Sequence, residues 1–226
     1  MRLHLPLEPA NRMHPTALIF DMDGVLIDSE PAHKLAKERA FARFGITLPE
    51  AVYDLYKGRP DETMMSEVVP TLPKLSVNVQ EMLRLKHLEF ETVKHLAQPI
   101  QGAKEFVTWA RTKFRLALAT SATPRNRQVA LAFLGLSDSF DFVVDTSGFT
   151  HQKPNPEIFH TALRGLNARS AECLVVEDSL AGVTAGKAAG CCVAALTTSF
   201  AEQPLRETGA DYIVHNFGQL RQMLED

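Results

Sequence analysis

Apolar residues fall along this chain in two rhythms. Ala17-Leu18-Ile19-Phe20 is a short continuous apolar run, the signature of a strand covered on both faces of a parallel sheet. From residue 98 onward such runs alternate with helical patterns. Helix 103–113 leads to strand Arg115-Leu116-Ala117-Leu118-Ala119, and helix 125–134 to strand Phe140-Asp141-Phe142-Val143-Val144. Helix 156–166 leads to strand Cys173-Leu174-Val175-Val176, helix 180–189 to strand 192–196, and a short strand Tyr212-Ile213-Val214 precedes a last helix. This alternation predicts an α/β fold, a doubly wound parallel sheet that includes the run 17–20.

Residues 31–96 break the rhythm with helical periodicity and no strand. Ser29 is placed to cap a helix, Pro31 suits its first turn, and Ala32, Leu35, Ala36, Ala40 and Phe44 form an apolar stripe ending at Gly45. A second helical segment, 79–96, carries Met82, Leu83, Leu85, Leu88, Val93 and Leu96 on a broad apolar face, and Pro99 and Gly102 close the insert. The expected organisation is a flexible N-terminal tail over 1–13, a sheet core over 14–30 and 97–226, and an all-helical cap domain over 31–96. A helical segment leaving and re-entering the sheet there is well placed to act as a lid.

Composition narrows the class. The 226 residues are 45% hydrophobic and 23% charged, with 24 basic against 27 acidic side chains and a net charge of -3. Nothing here suits nucleic acid, and no apolar stretch nears the roughly 18 residues that span a bilayer, so neither nucleic acid nor membrane is an expected partner. Met1–Met13 holds Pro6 and Pro9 and no signal-peptide core, and Met13 is an alternative start. Cys173, Cys191 and Cys192 fit no metal or redox spacing and read as buried strand residues of a cytoplasmic protein. We expect a monomer.

The candidate chemistry lies at the strand ends. Asp21 and Asp23 emerge directly after Phe20 and share one face by the period-two rule, with Met22 pointing away and Gly24 allowing a sharp turn. The other strand ends hold Thr120-Ser121, Lys153 in the loop after 140–144, and Glu177-Asp178. Ligands of parallel sheets bind outside the carboxyl ends of the strands. Phosphoryl transfer needs a magnesium ion, a cation, hydrogen-bond donors and a nucleophile, and these groups supply all but the ion. Asp21 is the candidate nucleophile and Asp23 the proton donor and later base. Asp21, the Asp23 backbone carbonyl and Asp178 suit Mg2+, with Glu177 acting through water. Lys153 would neutralise phosphoryl oxygens, while the Thr120 hydroxyl and Ser121 backbone N–H donate to them. Taken singly each residue has a bland reading: a loop start, a solvated lysine, a helix entry, a helix cap. Four such groups in order, each after an apolar run, argue for a site.

In these motifs the chain resembles the haloacid dehalogenase superfamily from about Ala17 to its end. Asp21-Met22-Asp23-Gly24-Val25-Leu26-Ile27-Asp28-Ser29-Glu30 looks like the first motif, Leu118-Ala119-Thr120-Ser121 the second, Lys153-Pro154-Asn155-Pro156 the third and Val176-Glu177-Asp178-Ser179 the fourth. The resemblance implies a Rossmann-like core, and the helical insert resembles the cap of the branch with β-phosphoglucomutase and sugar-phosphate phosphatases. It further implies that Gly24, His33, Lys57, Arg59, Ser121, Ala122 and Asn155 line the substrate site, His33 steering Asp23.

The resemblance leaves phosphate-monoester hydrolysis and mutase chemistry as alternatives. Mutases of this type carry Lys-Gly and, three positions beyond the glycine, an arginine that holds a second phosphate; here Lys57-Gly58 is followed by Asp61 in that position. An acid there is expected to repel a distal phosphate, although Arg59 stands nearby. The expected function is therefore a Mg2+-dependent phosphatase acting on a small phosphorylated metabolite, a sugar phosphate, through aspartyl phosphate on Asp21. A phospho-aspartate signalling acceptor ranks third, because a nucleophile on the first strand followed by a helical insert does not match a compact receiver.

Overall fold

The structure is a computed structural model and describes residues 14–56, 60–72 and 77–226; the tail expected over 1–13 lies outside them. Strand β1 (Ala17–Phe20) is followed by β2 (Ile27–Asp28), then by helices α1 (Glu30–Ala42), α2 (Glu50–Leu55), α3 (Asp61–Val68) and α4 (Val79–Val93). The chain then alternates β3 (Gln98–Pro99), α5 (Ala103–Ala110), β4 (Arg115–Ala119), α6 (Pro124–Leu134), β5 (Phe142–Val144), α7 (Glu157–Leu166), β6 (Cys173–Glu177), α8 (Leu180–Ala188), β7 (Cys192–Leu196), α9 (Glu202–Glu207), β8 (Tyr212–Val214) and α10 (Phe217–Glu225).

Six strands form one sheet in the order β5-β4-β1-β6-β7-β8, and every pairing is parallel. The apolar runs identified in the sequence are buried on both faces. Leu18 and Phe20 join one core with α5, α6 and α10, while Ala17 and Ile19 join another with α7, α8 and α9. The chain first winds outward through β4 and β5, then returns to the other side of β1 with β6. That reversal puts the carboxyl ends of β1 and β6 side by side, where a parallel sheet opens a crevice.

Helices α1 to α4 bury a core of their own, built on Phe41, Tyr53, Tyr56, Met64, Met65 and Met82. The two crossings between sheet and helices pair as the antiparallel β2–β3 ribbon, Ile27 opposite Pro99. Two-residue strands have no periodicity to read, so the ribbon was not predicted.

Several expectations shift. Ser29 precedes α1 but its side chain makes no capping bond; its hydroxyl is used elsewhere. Leu88 and Leu96 are exposed, because α4 buries the stripe Met82, Leu85, Lys86, Glu89 and Val93 instead. β5 starts at Phe142 rather than Phe140, since the Asp141 carboxylate accepts from Leu116 N at 2.8 Å and Asp141 N donates to Leu116 O. Among the described residues no helix is long and apolar enough to cross a membrane.

Candidate active site

Asp21 is the first residue beyond β1, and its N–H donates to Val176 O at 3.0 Å, tying it to β6. Met22 continues the face of Leu18 and Phe20 into the apolar core. The chain then turns at Gly24, with φ +79° and its N–H donating to Ile27 O at 2.7 Å. Glycine is required there twice over: the conformation is left-handed, and a Cβ would lie 1.8 Å from Asp178 Oδ2. Backbone and β6 carboxylate thus approach closely. Asp23 is fixed by Ser29, whose Oγ donates to Asp23 Oδ1 at 2.5 Å.

Lys153 joins three strands. Its Nζ donates to Asp21 Oδ1 at 2.5 Å, Glu177 Oε1 at 2.6 Å and Ala119 O at 3.3 Å. The other Glu177 oxygen accepts from Asp178 N, Ser179 N and Ser179 Oγ at 2.9 to 3.0 Å. Gly182 lets α8 pack onto this carboxylate, since a Cβ there would fall 1.8 Å from Glu177 Oε1. Thr120, fully buried at the end of β4, accepts Ala122 N at 3.0 Å on its hydroxyl.

The electrostatics are one-sided. Asp21, Glu177 and Asp178 are buried carboxylates around a single ammonium. Burial lifts the Asp21 carboxyl well above its ordinary range against the pull of Lys153, and Glu177 and Asp23 add to the lift. Burial also raises Asp178, with Glu177 and Asp21 adding. Asp23 is raised by burial and drawn back by Ser29, Lys153 and Lys86. Burial would strip Lys153 of its proton, but Asp21 and Glu177 overturn that and raise its pKa. One cation does not balance these acids. Among the described residues no three His, Cys, Asp or Glu side chains are grouped to hold a metal ion unaided. The shortage of positive charge beside Asp21 and Asp178 nevertheless fits an oxygen-seeking divalent ion that keeps part of its water shell.

A second polar cluster lies in the helical segment. Lys86 of α4, only 1% exposed, reaches His33 Nδ1 at 2.7 Å and ion-pairs with Asp61 Oδ2. Lys37 of α1 lies 3.6 Å from Asp61 Oδ1 and 3.9 Å from Glu30. His33 stacks on Phe90 with ring centroids 4.3 Å apart. Burial, then Lys86, pushes its pKa down to about 3, so the ring is neutral and Nδ1 accepts the lysine proton. Lys86 also helps hold the Asp23 carboxyl down, and Ser29 joins the two clusters: its carbonyl accepts His33 N at 3.0 Å while its hydroxyl holds Asp23.

Comparison with known proteins fits this geometry. A model of the haloacid dehalogenase-like hydrolases matches residues 15–190. The chain belongs to that family. It is 30% identical over 217 residues to validoxylamine A 7'-phosphate phosphatase of Streptomyces hygroscopicus subsp. limoneus, covering 92% of this chain and 97% of that one. It is 32% identical over 176 residues to the phosphorylated carbohydrates phosphatase of Thermotoga maritima, covering 77% and 81%. The structure of a putative β-phosphoglucomutase from Thermotoga maritima superposes with a TM-score of 0.74 at 30% identity, over 92% of this chain and 96% of that one. The chain also matches a plant protein, SUPPRESSOR OF QUENCHING 1 of Arabidopsis thaliana, of which it spans only 20%.

Within this member of the haloacid dehalogenase-like family the fold brings together Asp21, Asp23, Gly24, Lys153, Glu177 and Asp178, with Thr120 closing β4 beside them. The geometry refines several expectations. Glu177 is held by Lys153 on one oxygen and by Asp178 and Ser179 on the other. Asn155 is exposed and its Oδ1 accepts Glu157 N at 3.0 Å, bracing the start of α7 rather than facing a substrate. The Ala122 N–H is spent on Thr120. Ser121 is exposed beside them. Lys57, Gly58 and Arg59 lie outside the described residues. The sequence reading missed Lys37 and Lys86 and the Ser29–Asp23 bond; a lysine interrupting the buried stripe of α4 was the available signal.

Proposed function

We propose that this protein is a magnesium-dependent phosphatase of small phosphomonoesters, a sugar phosphate above all, working through aspartyl phosphate. The observation that carries this reading is the convergence of Asp21, Lys153 and Asp178 at adjoining strand ends, with Asp23 held one turn away by Ser29. An Asp21 oxygen attacks phosphorus, and the bond from phosphorus to the sugar oxygen breaks. Asp23 gives its proton to that leaving oxygen; burial shifts its pKa upward, the direction an acid needs. Water then attacks the aspartyl phosphate, returning its proton to Asp23 and releasing inorganic phosphate. Lys153 and the Thr120 hydroxyl face the phosphoryl oxygens. Mg2+, held by Asp21, Asp178 and the Asp23 carbonyl, would offset the charge that the phosphate brings.

Residues 31–96 are the cap in this reading, and the β2–β3 ribbon is the hinge on which it closes to exclude bulk water. The free thiols of Cys173, Cys191 and Cys192 support a reducing compartment, the cytoplasm. The names of two relatives support hydrolysis, and that of the Thermotoga maritima structure keeps mutase chemistry as the second reading. A panel of sugar phosphates with Mg2+, followed for free phosphate and for isomerised sugar, tests both. Phosphate release from several substrates is expected. Conversion of β-glucose 1-phosphate to glucose 6-phosphate with little free phosphate would establish the mutase instead, and phosphorylation by a partner without turnover would establish a signalling acceptor. Asp21→Asn is expected to abolish turnover and acid-stable radiolabelling while leaving the fold intact; residual turnover near the wild-type rate removes the covalent route.

A further inference from the structure

An ion pair that none of the steps above uses ties together the loops that follow β4 and β5. Asp145, the first residue beyond β5, is 5% exposed, and Arg127 of α6 donates from Nε to its Oδ2 at 3.1 Å. The other oxygen, Oδ1, accepts Ser147 N at 3.1 Å and Ser147 Oγ at 2.6 Å. Burial alone would lift the Asp145 carboxyl, but Ser147 and Arg127 outweigh it and bring its pKa below the ordinary value. Anchoring α6 does not call for such a pair. Leu131 and Leu134 already seat that helix in the core, and apolar side chains avoid the cost of taking ions out of water. What the pair fixes lies beside it. Thr146, next to Asp145, donates its N–H to Ala122 O at 3.2 Å, and Ala122 N donates in turn to Thr120 Oγ1 at 3.0 Å. A hydroxyl that accepts on one side keeps its single hydrogen for another partner, here a phosphoryl oxygen. The rest of the β5 loop has anchors of its own: Glu157 accepts Thr150 N and His151 N at 3.0 and 2.9 Å, and Asp21 and Glu177 hold Lys153. We propose that Arg127 and Asp145 are positioning residues of the phosphoryl site: their ion pair holds Thr146 against Ala122 and so aims the Thr120 hydroxyl. They act through Thr120 and do not touch the substrate.

This inference rests on the phosphatase reading, and a double-variant cycle on the sugar phosphate that the wild type turns over fastest separates the two. Thr120→Val removes the hydroxyl and is expected to lower kcat/KM about 100-fold. Arg127→Met leaves Asp145 its two bonds from Ser147 and is expected to lower kcat/KM about tenfold, through a misplaced hydroxyl. Adding Arg127→Met to Thr120→Val is expected to cost less than about twofold more, because no hydroxyl remains to misplace. A merely structural role would cut the folded fraction by the same factor in both backgrounds. Losses that multiply therefore overturn the proposal, and so does wild-type kcat/KM in Arg127→Met. Should Arg127→Met fail to fold, Asp145→Asn takes its place in the cycle with the same outcomes: it keeps the side chain's size, but its one accepting oxygen cannot serve Arg127 and Ser147 together. Should the wild type turn over no sugar phosphate, the phosphatase reading fails and inorganic phosphate becomes the probe. Its dissociation constant, read from thermal midpoints at rising phosphate, is then expected to increase about fivefold in Arg127→Met, and to stay the same between Thr120→Val and the double variant. Equal affinities in the wild type and Arg127→Met, or no phosphate binding by the wild type, overturn the positioning role.

Discussion

The strand-end site and the cap cluster both bury charge, but they settle it in opposite ways. At the strand ends Lys153 alone faces Asp21 and Glu177, with Asp178 beside them. In the helical segment Lys37 and Lys86 face Asp61 beside a neutral His33, and Glu30 lies 3.9 Å from Lys37. The first arrangement is short of positive charge and is completed only by what binds there. The second is complete before anything binds. The contrast divides the work in the proposed reading: the strand ends would hold the phosphoryl chemistry, and the helical segment would carry a charge cluster that needs no ligand to be balanced.

The largest effect that tests this contrast is the loss of Lys153. Lys153→Met leaves two buried carboxylates without their counter-charge, and breaking a buried pair in this way costs about 3–5 kcal/mol. Lys86→Met leaves Asp61 with Lys37 still 3.6 Å away and with 16% of its side chain exposed, so the loss is expected to be roughly half as large. Urea denaturation of both variants measures the difference. Equal losses would show that the cap cluster is as unbalanced as the site, and the division of labour would fall.

The next effect falls on the join between the two regions. Ser29 lies between β2 and α1, and its hydroxyl is given to Asp23 rather than to the helix. A hydrogen bond to a charged group is worth about 1.5–3 kcal/mol, so Ser29→Ala is expected to lower kcat by roughly 10- to 100-fold with KM little changed, and Ser29→Thr to recover most of the loss. A rise in KM with kcat intact would place Ser29 in substrate binding instead of in holding the acid.

The two regions were not equally legible. The sheet could be read because β1, β4, β6 and β7 are continuous apolar runs whose burial has no alternative, and the acids follow such runs directly, while Lys153 lies in the loop after β5. Long loops hide which oxygen faces which donor, so the engagement of both Glu177 oxygens and the bond from Glu157 N to Asn155 Oδ1 needed the fold. In the cap the difficulty is one of register. Lys37 and Lys86 lie 49 positions apart on helices whose pattern reads as an ordinary solvated-and-buried alternation, and a lysine is normally counted on the solvated side. Only the packing of α1, α3 and α4 shows that both point inward to Asp61.

The smallest effect is one of pH, and it isolates the cap. His33 is neutral in the folded protein because burial and Lys86 depress its pKa to about 3, with Lys37 and His87 adding and Asp61 opposing. In the unfolded chain it titrates near its ordinary value of about 6.5. Below that value the unfolded state binds a proton that the folded state refuses, so stability rises with pH between the two and falls as the solution is acidified, by at most about 1.4 kcal/mol per pH unit. Burial also raises the pKa of Asp21, Asp23 and Asp178, and His33→Gln separates the contributions: it lacks the proton-binding ring but keeps the acids. The stability of the wild type relative to His33→Gln, measured by denaturation from pH 7 to pH 4.5, is expected to decline steadily toward low pH. A flat difference would mean that His33 holds its proton in the folded state, and that the Lys86 ammonium does not direct itself at Nδ1.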